Sequence, residues 1–108
     1  MEAKIWKYSK WITETEPKAL RKVFDNMITC AGFNVLGELE HYFEPQGYTM
    51  IYLLAESHFA IHTFPEAGKT YIELSSCNGQ KHEAFMELLA QYEKEAQDEK
   101  SRKADKGV

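Results

Sequence analysis

Ala55-Glu56-Ser57-His58-Phe59-Ala60-Ile61-His62-Thr63-Phe64-Pro65-Glu66 is the stretch whose reading decides the fold of this chain. Ser57 to Thr63 alternates and is rich in aromatic and aliphatic side chains, the pattern of a strand. Phe64-Pro65-Glu66-Ala67-Gly68-Lys69 carries the Pro and Gly of a turn. Thr70-Tyr71-Ile72-Glu73-Leu74-Ser75-Ser76 then reads as a second strand, ending at Cys77-Asn78-Gly79. A hairpin is the simplest connection. If Thr63 faces Thr70, Cys77 falls opposite Glu56 and diagonal to Ser57. With strands about 4.8 Å apart, a thiol then sits beside the Glu56–Ser57 peptide bond. His62 lies further along the same strand, so a hydroxyl, a thiol and an imidazole gather around one hairpin.

Upstream, Ala3 to Ile12 is rich in Ile, Trp and Tyr and broken by Lys, which fits a strand at a sheet edge. Thr15 is a candidate N-cap, with Glu16 and Pro17 in the first helical turn. Ala19, Leu20, Val23, Phe24, Met27, Ile28 and Ala31 follow as a helical stripe that Gly32 can end. Cys30 lies beside the stripe and is expected as a small buried or half-buried residue. Val35 to Phe43 alternates as a strand, Pro45-Gln46-Gly47 turns the chain, and Tyr48 to Leu54 is the nearly continuous apolar run of a central strand.

Downstream, Ala84, Phe85, Leu88, Leu89 and Tyr92 mark a second amphipathic helix beginning at Gln80. Past Tyr92 the chain turns to Glu, Lys, Asp and Gln, so 93–108 is expected as a charged helical extension fraying into a disordered tail. The order of elements predicts an α+β fold, a two-layer sandwich of one antiparallel sheet with two helices packed on one face. The sandwich is expected as a single domain over 1–92.

A chain of 108 residues fits one small domain with a modest core, a size at which pairing often adds stability. The hydrophobic fraction of 44% is ordinary for a globular protein. A net charge of −4 without a basic cluster argues against nucleic acid as a partner. No apolar run approaches the roughly 20 residues that span a bilayer, so no membrane role is expected. Met-Glu-Ala-Lys-Ile-Trp-Lys has no signal-peptide core, and two cysteines without a short spacing fit free thiols in a reducing compartment. A soluble, cytoplasmic protein is the expectation.

Glu56-Ser57-His58, then His62-Thr63-Phe64-Pro65-Glu66, then Cys77, resembles the short bacterial and archaeal class of S-adenosylmethionine decarboxylases. Phe43-Glu44-Pro45-Gln46-Gly47-Tyr48-Thr49 is similar to a second segment of that family, and the likeness runs from about Gly32 to Gly79. The resemblance implies that the Glu56–Ser57 bond cuts itself and that Ser57 becomes a covalently held pyruvoyl group. That group would be the cofactor, with no metal and no pyridoxal phosphate. Ser57 would attack the carbonyl of Glu56, and the ester would eliminate to dehydroalanine and hydrolyse to pyruvoyl and ammonia. Through a Schiff base with the substrate amine, the pyruvoyl carbonyl would take up the electrons left at Cα by decarboxylation.

The resemblance gives His62 the proton shuttle in processing and Thr49, where Ser is commoner, an assisting hydroxyl. It gives Cys77 the protonation of the decarboxylated Cα. Phe43 and Phe64 would hold the adenine and the sulfonium, with Phe64 standing where Trp or Tyr is usual. Glu66 would take the ribose hydroxyls. The implied function is S-adenosylmethionine decarboxylation for polyamine (spermidine) synthesis, in a homodimer of processed pairs.

Two alternatives stand beside it: a related pyruvoyl decarboxylase of arginine or ornithine, and an inactive homologue acting as a binding or regulatory subunit. The second is motivated by Ile5 to Thr15, which lacks the family's usual Gly-Arg-His and Asp-x-x-x-Cys. Leu74-Ser75-Ser76-Cys77-Asn78-Gly79 also stands in place of the usual Phe-Thr-Cys-Gly. His58 and His62, four residues apart on a strand, are separated by about 13 Å, too far to share a metal ion. His41 and His82 are expected at the surface. A regular strand turns Ser57 away from the face of His58, Ala60 and His62, so cooperation of Ser57 with His62 calls for a distorted ladder such as a bulge.

Overall fold

The computed structural model describes residues 3–106. The chain runs β1 (Trp6–Ile12), α1 (Pro17–Cys30), β2 (Val35–Tyr42), β3 (Tyr48–Leu54), β4 (Ser57–Phe64), a 3-10 turn at Pro65–Ala67, β5 (Lys69–Ser76) and α2 (Gly79–Lys106). The strands form one antiparallel sheet in the order β1-β5-β4-β3-β2. Both helices cover the same face. Phe24 of α1 and Phe85 of α2 meet over Phe59 of β4, with ring centroids 5.0 and 5.2 Å from it. This is the two-layer α+β sandwich that the order of elements predicts.

The β4–β5 hairpin has the expected register, Thr63 opposite Thr70 and Ser57 opposite Ser76. Turn chemistry sets it: Pro65 opens the 3-10 turn and Gly68 closes it in the left-handed region at φ 66°. β1 is an edge strand, as its lysines suggest, and β3 is an interior strand beside the central β4. The apolar run of β3 serves two faces at once. Tyr48, Met50, Tyr52 and Leu54 are buried under the helices, whereas Ile51 and Leu53 are exposed on the other side.

Two local expectations change. The cap of α1 is Glu16, not Thr15, because a residue before proline favours extended backbone. Glu16 is extended, and its carboxylate accepts from the Ala19 amide at 2.7 Å. Cys30 is exposed rather than buried, one step off the apolar stripe, with its thiol 3.7 Å from Asn26 Oδ1. The stripe itself holds: Leu20, Phe24, Met27, Ile28 and Ala31 are buried. Gly32 at φ 93° lets the Phe33 amide reach back to the Ile28 carbonyl and close the helix. No helix among the described residues is long and apolar enough to cross a membrane.

A charged network seals the β2–β3 edge against α1. Arg21 pairs with Asp25, Glu38 and Glu40, while the Tyr52 hydroxyl donates to Asp25 and the Tyr48 hydroxyl to Glu40. Burial, then the bond to Asp25, pushes the Tyr52 hydroxyl well above its ordinary value; burial, then Glu40, does the same for Tyr48. The native state therefore keeps protons that the unfolded chain loses near pH 10, and stability present below about pH 10 falls as pH rises beyond it. Urea unfolding followed across that range should show the loss, and Tyr52→Phe should make it shallower. A wild-type midpoint that stays flat above about pH 10 would contradict it.

Candidate active site

Leu54 pairs with Ser57, so β3 and β4 are joined by a two-residue turn, Ala55-Glu56. Glu56 sits at φ 62°, the left-handed region, where a side chain other than glycine costs roughly 1–2 kcal/mol. The strain lies immediately before the Glu56–Ser57 bond. Ser57 is 9% exposed and faces the helix layer, and its Oγ has no hydrogen-bond partner among the described residues. Its neighbour across the ladder cannot help. The Ser76 hydroxyl is occupied with Asn78, accepting from its amide at 3.0 Å and donating to its carbonyl at 3.1 Å. Cys77 follows Ser76 one residue beyond the ladder and is exposed at this same end of the sheet.

His62 belongs to a different place. The β4 ladder to β5 is unbroken from Ser57 to Phe64, so the bulge that cooperation calls for is not there. Strict alternation leaves His62 on the open face, five residues and about 16 Å from Ser57. There it is hydrogen-bonded to Thr49, Nδ1 to Oγ1 at 3.1 Å, with the Tyr71 ring centroid 6.4 Å away. His58 and His41 are exposed, whereas His82, expected at the surface, is half-buried with Nδ1 enclosed. The histidine moves inward because α2 turns the face carrying Phe85 and Leu89 onto the sheet, and His82 lies one turn before Phe85 on that face.

Phe43, Phe64 and Glu66 gather at the far end of the sheet. The Phe43 amide donates to the Gly47 carbonyl at 2.9 Å, folding the β2–β3 loop, and the Phe43 ring lies 4.4 Å from His41. Glu66, in the 3-10 turn, accepts from Gln46 of that loop at 3.5 Å. Phe43 and Phe64 are half exposed, at 50% and 40%. Phe64 is seven residues from Ser57, about 23 Å at strand spacing.

Two aromatic residues join this end that the sequence did not single out. Trp11 of β1 lies 5.6 Å from Phe64 and 5.2 Å from Tyr71. Lys69 Nζ sits over the indole, 4.5 Å from its centroid. The available signal was the alternation of β1, which sets Trp11 on the same face as Lys7 and Ser9, an aromatic among polar neighbours.

The residues named by the resemblance thus form two clusters, Glu56, Ser57 and Cys77 at one end, and Thr49, His62, Phe43, Phe64 and Glu66 towards the other. A family model described as S-adenosylmethionine decarboxylase matches residues 9–106. The chain belongs to the S-adenosylmethionine decarboxylase family.

Within that family, the chain is 42% identical over 73 residues to the S-adenosylmethionine decarboxylase proenzyme of Prochlorococcus marinus, covering 67% of this chain and 58% of that protein. The Methanococcus vannielii proenzyme is 33% identical over 73 residues, 68% of this chain and 59% of that protein. The crystal structure of the adenosylmethionine decarboxylase from Aquifex aeolicus superposes with a TM-score of 0.59 at 25% identity, covering 68% of this chain and 62% of that one. The chain spans about three-fifths of the length of these relatives.

Proposed function

We propose that the chain is a self-processing, pyruvoyl-dependent S-adenosylmethionine decarboxylase of polyamine synthesis. One observation carries this reading: a buried, unpartnered Ser57 hydroxyl directly after Glu56, which is held at φ 62°. Strain in the turn raises the energy of the bond to be broken, and a hydroxyl with no partner gives up no hydrogen bond when it attacks. The Glu56–Ser57 pair therefore fits the origin of a pyruvoyl group. The names of the relatives, each a proenzyme, agree with it.

Attack of Ser57 Oγ on the Glu56 carbonyl carbon breaks the C–N bond and makes an ester. Loss of a proton from Cα of residue 57 expels the Glu56 carboxylate, and water then releases the nitrogen as ammonia. Once formed, the pyruvoyl carbonyl supplies the sink for the electrons that decarboxylation leaves behind. Cys77, one residue past the Ser57–Ser76 end of the ladder, is the thiol available to return a proton at that point. Phe43 and Phe64 offer flat and cation-accepting faces to adenine and sulfonium, and Glu66 accepts from ribose hydroxyls.

The separation of the two clusters supports a homodimer with shared sites. A span of about 23 Å between Ser57 and Phe64 is more than one small substrate bridges. The open face of the sheet carries exposed Trp11, Leu39, Ile51, Leu53 and Phe64, apolar side chains suited to a second copy. Two sheets packed in opposite directions through these faces bring the Ser57 end of one copy to the His62 and Phe64 end of the other.

The test is a denaturing mass spectrum of the purified protein, with carbon dioxide release from carboxyl-labelled S-adenosylmethionine. The expected result is two fragments divided between Glu56 and Ser57, the second with a pyruvoyl-blocked end, together with release of label. A chain that stays whole on incubation would overturn the proposal. Release from arginine or ornithine in its place would overturn the substrate.

A further inference from the structure

Trp11, Phe64 and Tyr71 form an aromatic cluster on the open sheet face, their rings tilted or edge-on to one another rather than stacked. Such an arrangement leaves ring faces free. Trp11 is 48% exposed although it touches both neighbours. One face of the indole already holds a cation, the Lys69 ammonium 4.5 Å from the centroid. Indole is the strongest cation–π acceptor among the side chains, and onium ions, whose charge is weakly hydrated, are the ligands that such clusters hold best. Carboxylates stand nearby to complement a cation: Glu73 takes the Tyr71 hydroxyl at 3.5 Å, and Glu66 lies in the turn after Phe64.

We propose that Trp11 is a specificity-determining contact for the onium centre of the substrate, and that the Lys69 ammonium holds that position until the substrate displaces it. The identity of the onium group as a sulfonium rests on the function proposed above. The role of Trp11 does not follow from the resemblance, which assigns adenine and sulfonium to Phe43 and Phe64 alone. It follows from a pairing of β1 with β5 that sets Trp11 opposite Tyr71. The indole then supplies the larger aromatic surface that the phenyl ring of Phe64 lacks.

The two residues are expected to act with opposite sign. Lys69→Met removes both the competitor and a like charge, so S-adenosylmethionine should bind more tightly, by about two- to fivefold. Trp11→Ala should weaken binding by about tenfold, with Trp11→Phe intermediate. A role in folding alone would not make the Lys69 change favourable. Titration calorimetry on a Ser57→Ala background reads binding without turnover, and tetramethylammonium serves as an onium probe free of adenine. Thermal melts of each variant show whether the fold is kept.

Unchanged affinity in Trp11→Ala, weaker binding in Lys69→Met, or no binding of tetramethylammonium to the Lys69→Met protein would overturn the inference. If the wild-type chain processes and releases carbon dioxide while Trp11→Ala keeps its KM, the inference falls and the function stands. If the wild-type chain stays whole and no variant binds S-adenosylmethionine, both fall.

Discussion

Ser57→Ala should leave one chain of 12.5 kDa that stays whole, where the proposed self-processing divides the wild-type chain into 1–56 and 57–108. The loss is expected because no other hydroxyl at this end supplies the missing nucleophile, and the exposed Cys77 thiol lies beyond the ladder. Ser76 is held by Asn78, and Thr49 lies towards the far end of the sheet. The stability of the variant should move the other way. The Ser57 hydroxyl is buried with no partner, so removing it breaks no hydrogen bond and relieves an unmet polar group. Relief of this kind is worth roughly 1 kcal/mol or more, and the variant should melt above the unprocessed wild-type chain. A mass spectrum and a thermal melt read the two effects separately. Fragments from the alanine variant would remove Ser57 from the chemistry, and a lower melting temperature would mean that its hydroxyl has a partner in solution.

Mixing two inert variants should restore processing to one of them. His62→Ala keeps Ser57 but lacks the proposed proton shuttle; Ser57→Ala keeps His62 but lacks the proposed nucleophile. In a single copy, His62 is on the open face and Ser57 faces the helix layer, about 16 Å away. In the proposed pair, the His62 end of one copy lies against the exposed β3–β4 turn, and so against the Glu56–Ser57 bond, of the other. When both variants are produced together in equal amounts, about half of the His62→Ala chains pair with a Ser57→Ala chain, and that half should divide between Glu56 and Ser57. The Ser57→Ala chains stay whole. Their masses differ, so one spectrum separates them. If the His62→Ala protein processes fully on its own, His62 is not the shuttle. If the mixture yields no fragments, the sites are not shared across copies.

The sequence went far where chemistry is local. Pro65 and Gly68 set the hairpin turn, Pro17 placed the helix start, and Gly32 its end. Thr15 was the natural cap by type, but Pro17 moved that duty to Glu16 by constraining the backbone before it. Cys30 went astray because an apolar residue one step off a helical stripe points between core and water, and only packing decides which. Trp11 carries no local signal of its role, because its partners are Phe64 and Tyr71, more than fifty residues away in the chain.

What the sequence determined by itself is the set of elements, their order, and the register that sets Thr63 opposite Thr70 and brings Cys77 to the Ser57 end of the sheet. Period-two alternation and turn residues suffice for that, since each acts within a few residues. Only the tertiary structure decided that β4 runs unbroken, that Ser57 turns under the helices while His62 turns away, and that Glu56 is held at a positive φ. These follow from the ladders that flank β4 and from the helix layer over one face. Such contacts join residues distant in the chain, and their geometry is set by packing that local patterns do not encode.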